Sequence, residues 1–437
     1  MSNRRTRRAK LHAAVFAAAN LAALPCAGAE LLLDLRVAGG GKSALVQQAG
    51  DVVNLELYAL VRDANANPAD NGLNATQGAF TSGNGGLKGN IAASLPPAYA
   101  QFGSANPAPA DLDGDGDMDV GALPAASSGF WIASAGVSGT FGSSSGVENI
   151  GGVDYKAWLI GTATFTAGDV QSCTTQLSYQ PRIGDANLGV YPHKYYADGG
   201  VFTSILATDV RLSLGEAVTV TRAAVWNGGM GAWETAANWS AGLVPGSACV
   251  VQIDASKPAA STVTLTSMTT VGGLTIDGGD TLLVNAGGRL VINYTGSSPA
   301  ATIRGYLAGG CNGGLWTGTG IASSDAASAG NTAVGWIDGG GAITVRYTLY
   351  GDATLDGTVN FADLLALSQN YNTSGRQWID GDSDYDGFVN FADLLRLSQN
   401  YNQSLPSGAA AVPEPSALSV LGLSVLLLRR RRAFYGR

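Results

Sequence analysis

The stretch 261–293, "STVTLTSMTTVGGLTIDGGDTLLVNAGGRLVIN", sets the architecture of the middle of the chain. Short apolar pairs recur about every nine to ten residues, with Gly and Asp turns between them. The pairs are Val263/Leu265, Leu274/Ile276, Leu282/Val284 and Leu290/Ile292. Such short segments cannot bury an apolar face alone, so they must stack as the rungs of a β-solenoid. The unit is drawn from Val225 to Leu349 and opens with "VWNGGMGAWETAANWSAGLVPG". The stretch "LAGGCNGGLWTGTGIASSDAA" (307–327) reads as turn-rich.

Working outward, residues 30–222 carry "ELLLDLRV", "DVVNLELYALV", "DYKAWLIGTATFTA", "TTQLSYQP" and "AVTVTR" between Gly, Asn, Pro and Ser clusters. That spacing predicts an antiparallel β-sandwich. Composition agrees. Gly makes up 61 of 437 residues and only 13% are charged, which favours turn-rich β structure, while 46% hydrophobic residues suffice for real cores. The length suits two or three domains. The fold expectation is therefore mainly β: a sandwich, then a solenoid-like unit, then a small helical module.

The formal net charge is −8. Ten of the 25 basic residues stand at the extreme ends, so a body without those ends carries 15 against 33 acidic, or −18. An acidic surface repels nucleic acid and suits cations.

Both ends read as processing signals. The first 29 residues have a basic start, an apolar stretch from Leu11 to Leu24, and Ala27-Gly28-Ala29. This predicts a secretory signal cut by signal peptidase after Ala29. The apolar stretch is shorter than the roughly 20 residues of a membrane span. Cleavage leaves Cys173, Cys249 and Cys311. Three widely spaced cysteines make no disulfide framework, and free buried thiols are the plainer reading against a single bridge. At the other end stand Pro413-Glu414-Pro415, an apolar segment Ala417–Leu428 and Arg429–Arg432. Order, composition and position resemble the PEP-CTERM sorting signal. The resemblance implies transient inner-membrane tethering, exosortase processing, and delivery to the cell surface or extracellular matrix. Residues 404–412 form the linker to it.

The chemistry sits at 350–403. In "YGDATLDGTVNFADLLALSQNYN" (350–372), a twelve-residue loop starts at Asp352. Asp352, Thr354 and Asp356 take positions 1, 3 and 5. Gly357 is at 6, Thr358 at 7, Asn360 at 9 and Asp363 at 12. Calcium needs several hard oxygens on a tightly turning backbone, and this spacing supplies them. Thirty residues on, Asp382, Asp384, Asp386, Gly387, Phe388, Asn390 and Asp393 repeat the pattern, with Thr358 and Phe388 offering carbonyls. "VNFADLL" and "LSQNYN" occur in both copies. Leu364, Leu367 and Tyr371, and likewise Leu394, Leu397 and Tyr401, fall on one helical face, so the halves should pack together.

This pair of loop-then-helix repeats resembles a type I dockerin, over about Gly351 to Asn402. The resemblance implies two calcium ions, loops without a leading helix, and a cohesin-like partner protein. Two departures stand out. Thr354 replaces the usual Asn or Asp at position 3. Positions 10 and 11, where recognition residues are common, are Phe361-Ala362 and Phe391-Ala392, and the phenylalanines also read as core. The runs "VQQAGDVVNLELY" and "GTATFTAG" of the first unit loosely resemble cohesin-like sandwich modules. Trp226, Trp233, Asn238, Trp239 and Pro245 resemble the tryptophan β-repeat modules of large secreted bacterial surface proteins.

Other candidates are weaker. "ADLDGDGDMDVGAL" (110–123) offers Asp111, Asp113, Asp115, Asp117 and Asp119, with Gly116 at the turn and Ala122 at position 12. A calcium-stabilised loop and a solvated acidic turn both fit. The three tryptophans suit a solenoid cap better than a sugar platform. His193 reads as a loop histidine without a nucleophile elbow nearby. Glu30, Glu56, Glu148, Glu216 and Glu234 are scattered, and "GGGKSAL" lacks P-loop spacing. The expectation is an exported, non-catalytic surface or matrix protein. The alternative is a polysaccharide-degrading or carbohydrate-binding protein docked through the dockerin-like module.

Overall fold

The computed structural model describes residues 28–405, apart from 63–64, 66, 84–85, 97–103, 136–143, 171–172, 198–199, 254–256 and 258. Nearly all of the secretory signal, the linker from 406 onward and the 413–437 sorting signal lie outside the described residues. No helix among the described residues is long and apolar enough to cross a membrane.

The chain is mainly β, and it begins with a sandwich. One sheet runs Leu212–Leu214, Glu30–Val37, Val52–Arg62, Val153–Val170, Leu87–Ser94, with Gly146–Ile150 also on Val153–Val170. The other runs Val201–Ile205, His193–Ala197, Gly72–Ser82, Thr174–Pro181, Val218–Val225, with Trp131–Ser134 and Ser43–Val46 on its flanks. Strand Val52–Arg62 shows why. Val53, Leu55, Leu57, Ala59 and Val61 alternate inward, at the two-residue period of a pleated strand. They meet Phe80, Trp131, Leu177 and Val220 of the opposite sheet in one core. Among the described residues the sandwich strands pair antiparallel with two exceptions. Glu30–Val37 lies parallel to Leu212–Leu214, and Ser43–Val46 parallel to Val218–Val225.

Strand Val218–Val225 belongs to both units. Its first half pairs with Thr174–Pro181, and its second half starts a parallel stack through Val250–Ile253 to Gly273–Ile276. The sequence-drawn boundary at 222–225 therefore falls inside a continuous strand. Cys173 and Cys249 form a disulfide across the same junction, which corrects the reading of three free thiols; among the described residues Cys311 alone is free, and it is buried. Spacing in sequence could not show this, because the junction brings together cysteines 76 residues apart.

The solenoid has three faces, each a parallel stack. Met230–Ala232, Thr262–Leu265, Thr281–Val284 and Gly320–Ala322 form one, and Met268–Val271 on Arg289–Asn293 begins another. Val263 and Leu265 stack on Leu282 and Val284, while Leu274 and Ile276 stack on Val251 and Ile253. The nine-to-ten-residue recurrence is thus the step from one face to the next, not from rung to rung. Antiparallel strands Ala342–Leu349 and Thr332–Asp338 close the stack.

Two helices interrupt the region read as turn-rich: α1 (Ala300–Cys311) and α2 (Ser324–Ala329). Several of the glycines that suggested turns, Gly309, Gly310, Gly318 and Gly320, are there for contact. A Cβ on Gly310 would lie 1.9 Å from the Ile321 carbonyl oxygen, so only glycine lets α1 rest on strand Gly320–Ala322.

Two further helices, α3 (Phe361–Asn370) and α4 (Phe391–Asn400), follow the acidic loops. Val359, Leu367, Val389 and Leu397 pack together with Leu349, and Leu364 and Leu394 flank them. Tyr371 and Tyr401 depart from the expected helical face. They cap the helix ends in extended conformation and are partly exposed.

Candidate metal centres

Each acidic loop is closed by its position-12 aspartate. Asp363 is fully buried; its Oδ1 accepts from the backbone N–H and the hydroxyl of Thr354, both at 3.0 Å. Its Oδ2 accepts from the Asn360 N–H at 2.9 Å, and Asn360 Oδ1 accepts from Ala362 N–H at 2.8 Å. This capping box ties the loop's last residue to the first turn of α3. Asp393 does the same for α4. Oδ1 accepts from Ser383 N–H at 2.9 Å and its hydroxyl at 3.1 Å, and Oδ2 from Asn390 N–H at 3.0 Å.

The loop starts also match. Asp352 Oδ2 accepts from Gly357 N–H at 2.9 Å, and Asp382 Oδ2 from Gly387 N–H at 3.1 Å. Asp356 accepts from Thr358 N–H, and Asp386 from Phe388 N–H, at 2.8 and 2.7 Å. Gly357 and Gly387 turn at φ +92° and +85°, a conformation that glycine adopts without a Cβ clash. In both loops the position-12 carboxylate is thus drawn in toward the residues at positions 1 to 3. In the second loop, Asp382, Asp384 and Asp393 each bring a carboxylate oxygen within 4.8 Å of the others. The first loop forms no such carboxylate trio among the described residues, because Thr354 stands where Asp384 does. It brings together Asp352, Thr354 and Asp363, with Asp356 exposed at the rim.

The electrostatics point the same way. Burial, reinforced by Asp393 and opposed by Arg304, pushes Asp382 up to about 6. Burial also raises Asp384 and Asp352. Asp382 Oδ1 is buried with no hydrogen-bond partner. Crowded, dehydrated carboxylates of this kind either take up protons or hold a cation.

Position 4 of each loop was not singled out in the sequence, yet it fastens the loops to the solenoid. Leu355 and Tyr385 adopt left-handed backbone, φ 57° and 67°, which is costly for side chains of this size. Both are buried in the solenoid core with Trp378 and Trp316. Tyr385 donates its hydroxyl to the Val334 carbonyl, and the Trp378 indole donates to the Asp352 carbonyl at 2.6 Å. A Cβ on Gly335 would lie within 2.6 Å of Trp378 and Leu355, so the sheet leaves a gap for them.

Three arginines were also missed. Arg304 of α1 lies 3.3 Å from Asp382 Oδ2, and Arg346 donates to the Leu355 carbonyl at 2.6 Å. Arg396 of α4 lies 3.4 Å from Asp384 and stacks 4.7 Å from the Tyr350 ring centroid. Arg396 had a sequence signal. It replaces Ala366 as the one mismatch between the two 359–372 and 389–402 copies, and it faces Asp384, the residue that replaces Thr354.

The remaining candidates resolve differently. Phe361 and Phe391 are each 66% exposed, against the core reading, because the capping boxes turn their side chains outward at the helix starts. Trp226, Trp233 and Trp239 are fully buried and pack edge-to-face in the solenoid core, so none presents a ring face to solvent. His193 is not in a loop but opens a strand, buried. Thr76 Oγ1 lies 2.9 Å from its Nδ1, and the Arg182 carbonyl 3.1 Å from its Nε2. Burial lowers it to about 4. Glu30 and Glu148 pair with Arg62 and Arg36, and Glu234 accepts from Thr266 and Ser267.

No family model and no curated protein matches the chain. Among solved structures, the chain is similar to the seventh ScaB type I cohesin of Pseudobacteroides cellulosolvens, at 11% identity and a TM-score of 0.25, over 44% of this chain and 92% of that one. It is likewise similar to the third ScaC cohesin of Acetivibrio cellulolyticus, solved in complex with the ScaB dockerin, at 10% identity and a TM-score of 0.23, over 44% and 98%.

Proposed function

We propose that the chain is an exported, non-catalytic surface or matrix protein whose two C-terminal acidic loops each bind calcium and fasten the α3–α4 pair to the solenoid. Asp352, Thr354, Asp356, Asn360 and Asp363 supply oxygens in the first loop, with the Thr358 carbonyl. Asp382, Asp384, Asp386, Asn390 and Asp393 do so in the second, with the Phe388 carbonyl. The observation that carries the reading is the buried, unpartnered Asp382 Oδ1 beside Asp384 and Asp393. Export and exosortase processing rest on the two terminal signals of the sequence.

The full chain is the right sample, since Leu355, Trp378 and Tyr385 share the solenoid core and an isolated 350–403 segment would expose them. Calorimetric titration of EDTA-treated protein with calcium chloride should show binding at these loops and a rise in melting temperature. No heat and no thermal shift would overturn it.

A second reading has its own observation. Phe361, Leu365, Phe391 and Leu395 form matched exposed apolar positions on α3 and α4. This face suits a protein partner, of cohesin-like type by the dockerin resemblance, and such docking would serve a polysaccharide-binding assembly. Substituting both phenylalanines by serine should abolish capture of that partner while leaving calcium binding intact.

A further inference from the structure

The acidic run 111–119 lies far from the loops above in sequence, on a strap that crosses the sandwich. Ala105 pairs with Ile132, Ala110 with Asp119 and Val120 with Phe80, and Ile91 N–H donates to the Met118 carbonyl at 2.6 Å. These bonds bury Asp117 and Asp119, at 2% and 0% exposure. Ser82, the last residue of strand Gly72–Ser82, holds one oxygen of each. Its hydroxyl donates to Asp117 Oδ2 at 2.7 Å, and its N–H to Asp119 Oδ1 at 2.9 Å.

The other oxygens, Asp117 Oδ1 and Asp119 Oδ2, are buried and accept no hydrogen bond. Together with Asp113 these two aspartates bring carboxylate oxygens within 4.8 Å of one another. Asp113 also belongs to an outer trio with Asp111 and Asp115. The Lys88 ammonium reaches this loop and donates to the Asp115 carbonyl at 2.7 Å. Two adjacent buried carboxylates that form no ion pair among the described residues are strongly unfavourable when both are ionised.

We propose that Asp113, Asp117 and Asp119 bind a calcium ion that pins the 104–123 strap to the end of strand Gly72–Ser82. An all-oxygen, multiply charged donor set is the chemistry of a hard divalent cation. The site differs from the C-terminal loops in its closure. Ala122 stands at position 12, and the buried pair Asp117 and Asp119 takes over the inner side of the site.

Hydrogen exchange read by mass spectrometry on the EDTA-treated full chain, with and without millimolar calcium chloride, tests this peptide by peptide. Calcium should slow exchange across 108–122 at least tenfold. An Asp117→Asn, Asp119→Asn double variant should lose that slowing while retaining the response at 352–393. Absence of slowing at 108–122 in the unmodified chain overturns the proposal without needing the variant to fold. Equal slowing in the folded double variant overturns it as well. Failure of the C-terminal loops would appear separately, as unresponsive 352–393 peptides beside a responsive 108–122.

Discussion

The two C-terminal loops share a sequence pattern but not an environment. Their closing parts are alike: Asp363 and Asp393 each accept from two backbone N–H groups and one hydroxyl, although Oδ1 is held by position 3, Thr354, in the first loop and by position 2, Ser383, in the second. Their open parts differ. The second loop has an extra carboxylate, Asp384, and two arginines, Arg304 and Arg396, set against it. The first has Thr354, no carboxylate trio, and Arg346 on a backbone carbonyl. The closing part is what makes each loop a loop. The open part is where the two loops differ in charge.

The largest expected effect tests the shared part. Asp363→Ala and Asp393→Ala should each cost about 3 kcal/mol in chemical denaturation, since each leaves loop N–H and hydroxyl donors unpaired and breaks a capping box. The two costs should agree within about 1 kcal/mol. A large inequality would show that the closing parts are not equivalent.

A pH titration of the calcium-free chain separates the open parts. Asp382 and Asp384 in the second loop are raised, against Asp352 alone in the first. A carboxyl raised on folding binds its proton more tightly in the folded state. Its contribution is therefore present at low pH and lost as pH rises, from the unfolded carboxylate value of about 4 to about 6 for Asp382. Exchange at 378–390 should speed up across that window more than exchange at 350–358, and calcium should abolish the difference. Equal pH responses would remove the distinction.

The smallest effects come from swapping the differences themselves. Arg396→Ala should destabilise the calcium-free chain by about 1 kcal/mol, through loss of the Asp384 pair and the Tyr350 contact. It should also tighten calcium at the second loop a few-fold, measured by competition with a chromophoric chelator. Thr354→Asp should tighten the first loop about tenfold, by adding a charged ligand. Unchanged affinities in both would mean that charge count does not set the difference.

Much of this was legible in the residues. Alternating apolar positions such as Val53, Leu55 and Leu57 announce strands, and the paired D-x-D-x-D-G runs announce the loops with their helices. The capping boxes were written in Asn360/Asp363 and Asn390/Asp393, because a cap is a local interaction. What stayed hidden was non-local. Nothing in the neighbourhood of Gly309 and Gly310 says that α1 must lie against Ile321, so the glycines read as turns. The rung register was misjudged because a three-faced coil sends successive apolar pairs to different sheets.

By itself the sequence determined the strands of sandwich and solenoid, the loop spacing and the acidic residues of the loops, since each depends on residues a few positions apart. Only the tertiary structure decided that one strand joins sandwich to solenoid and that Cys173 meets Cys249. It also decided that Leu355, Trp378 and Tyr385 anchor the loops in a foreign core, and that Asp117 and Asp119 are buried with oxygens unmet. Those facts depend on burial, and burial is fixed by what the rest of the chain packs against each residue.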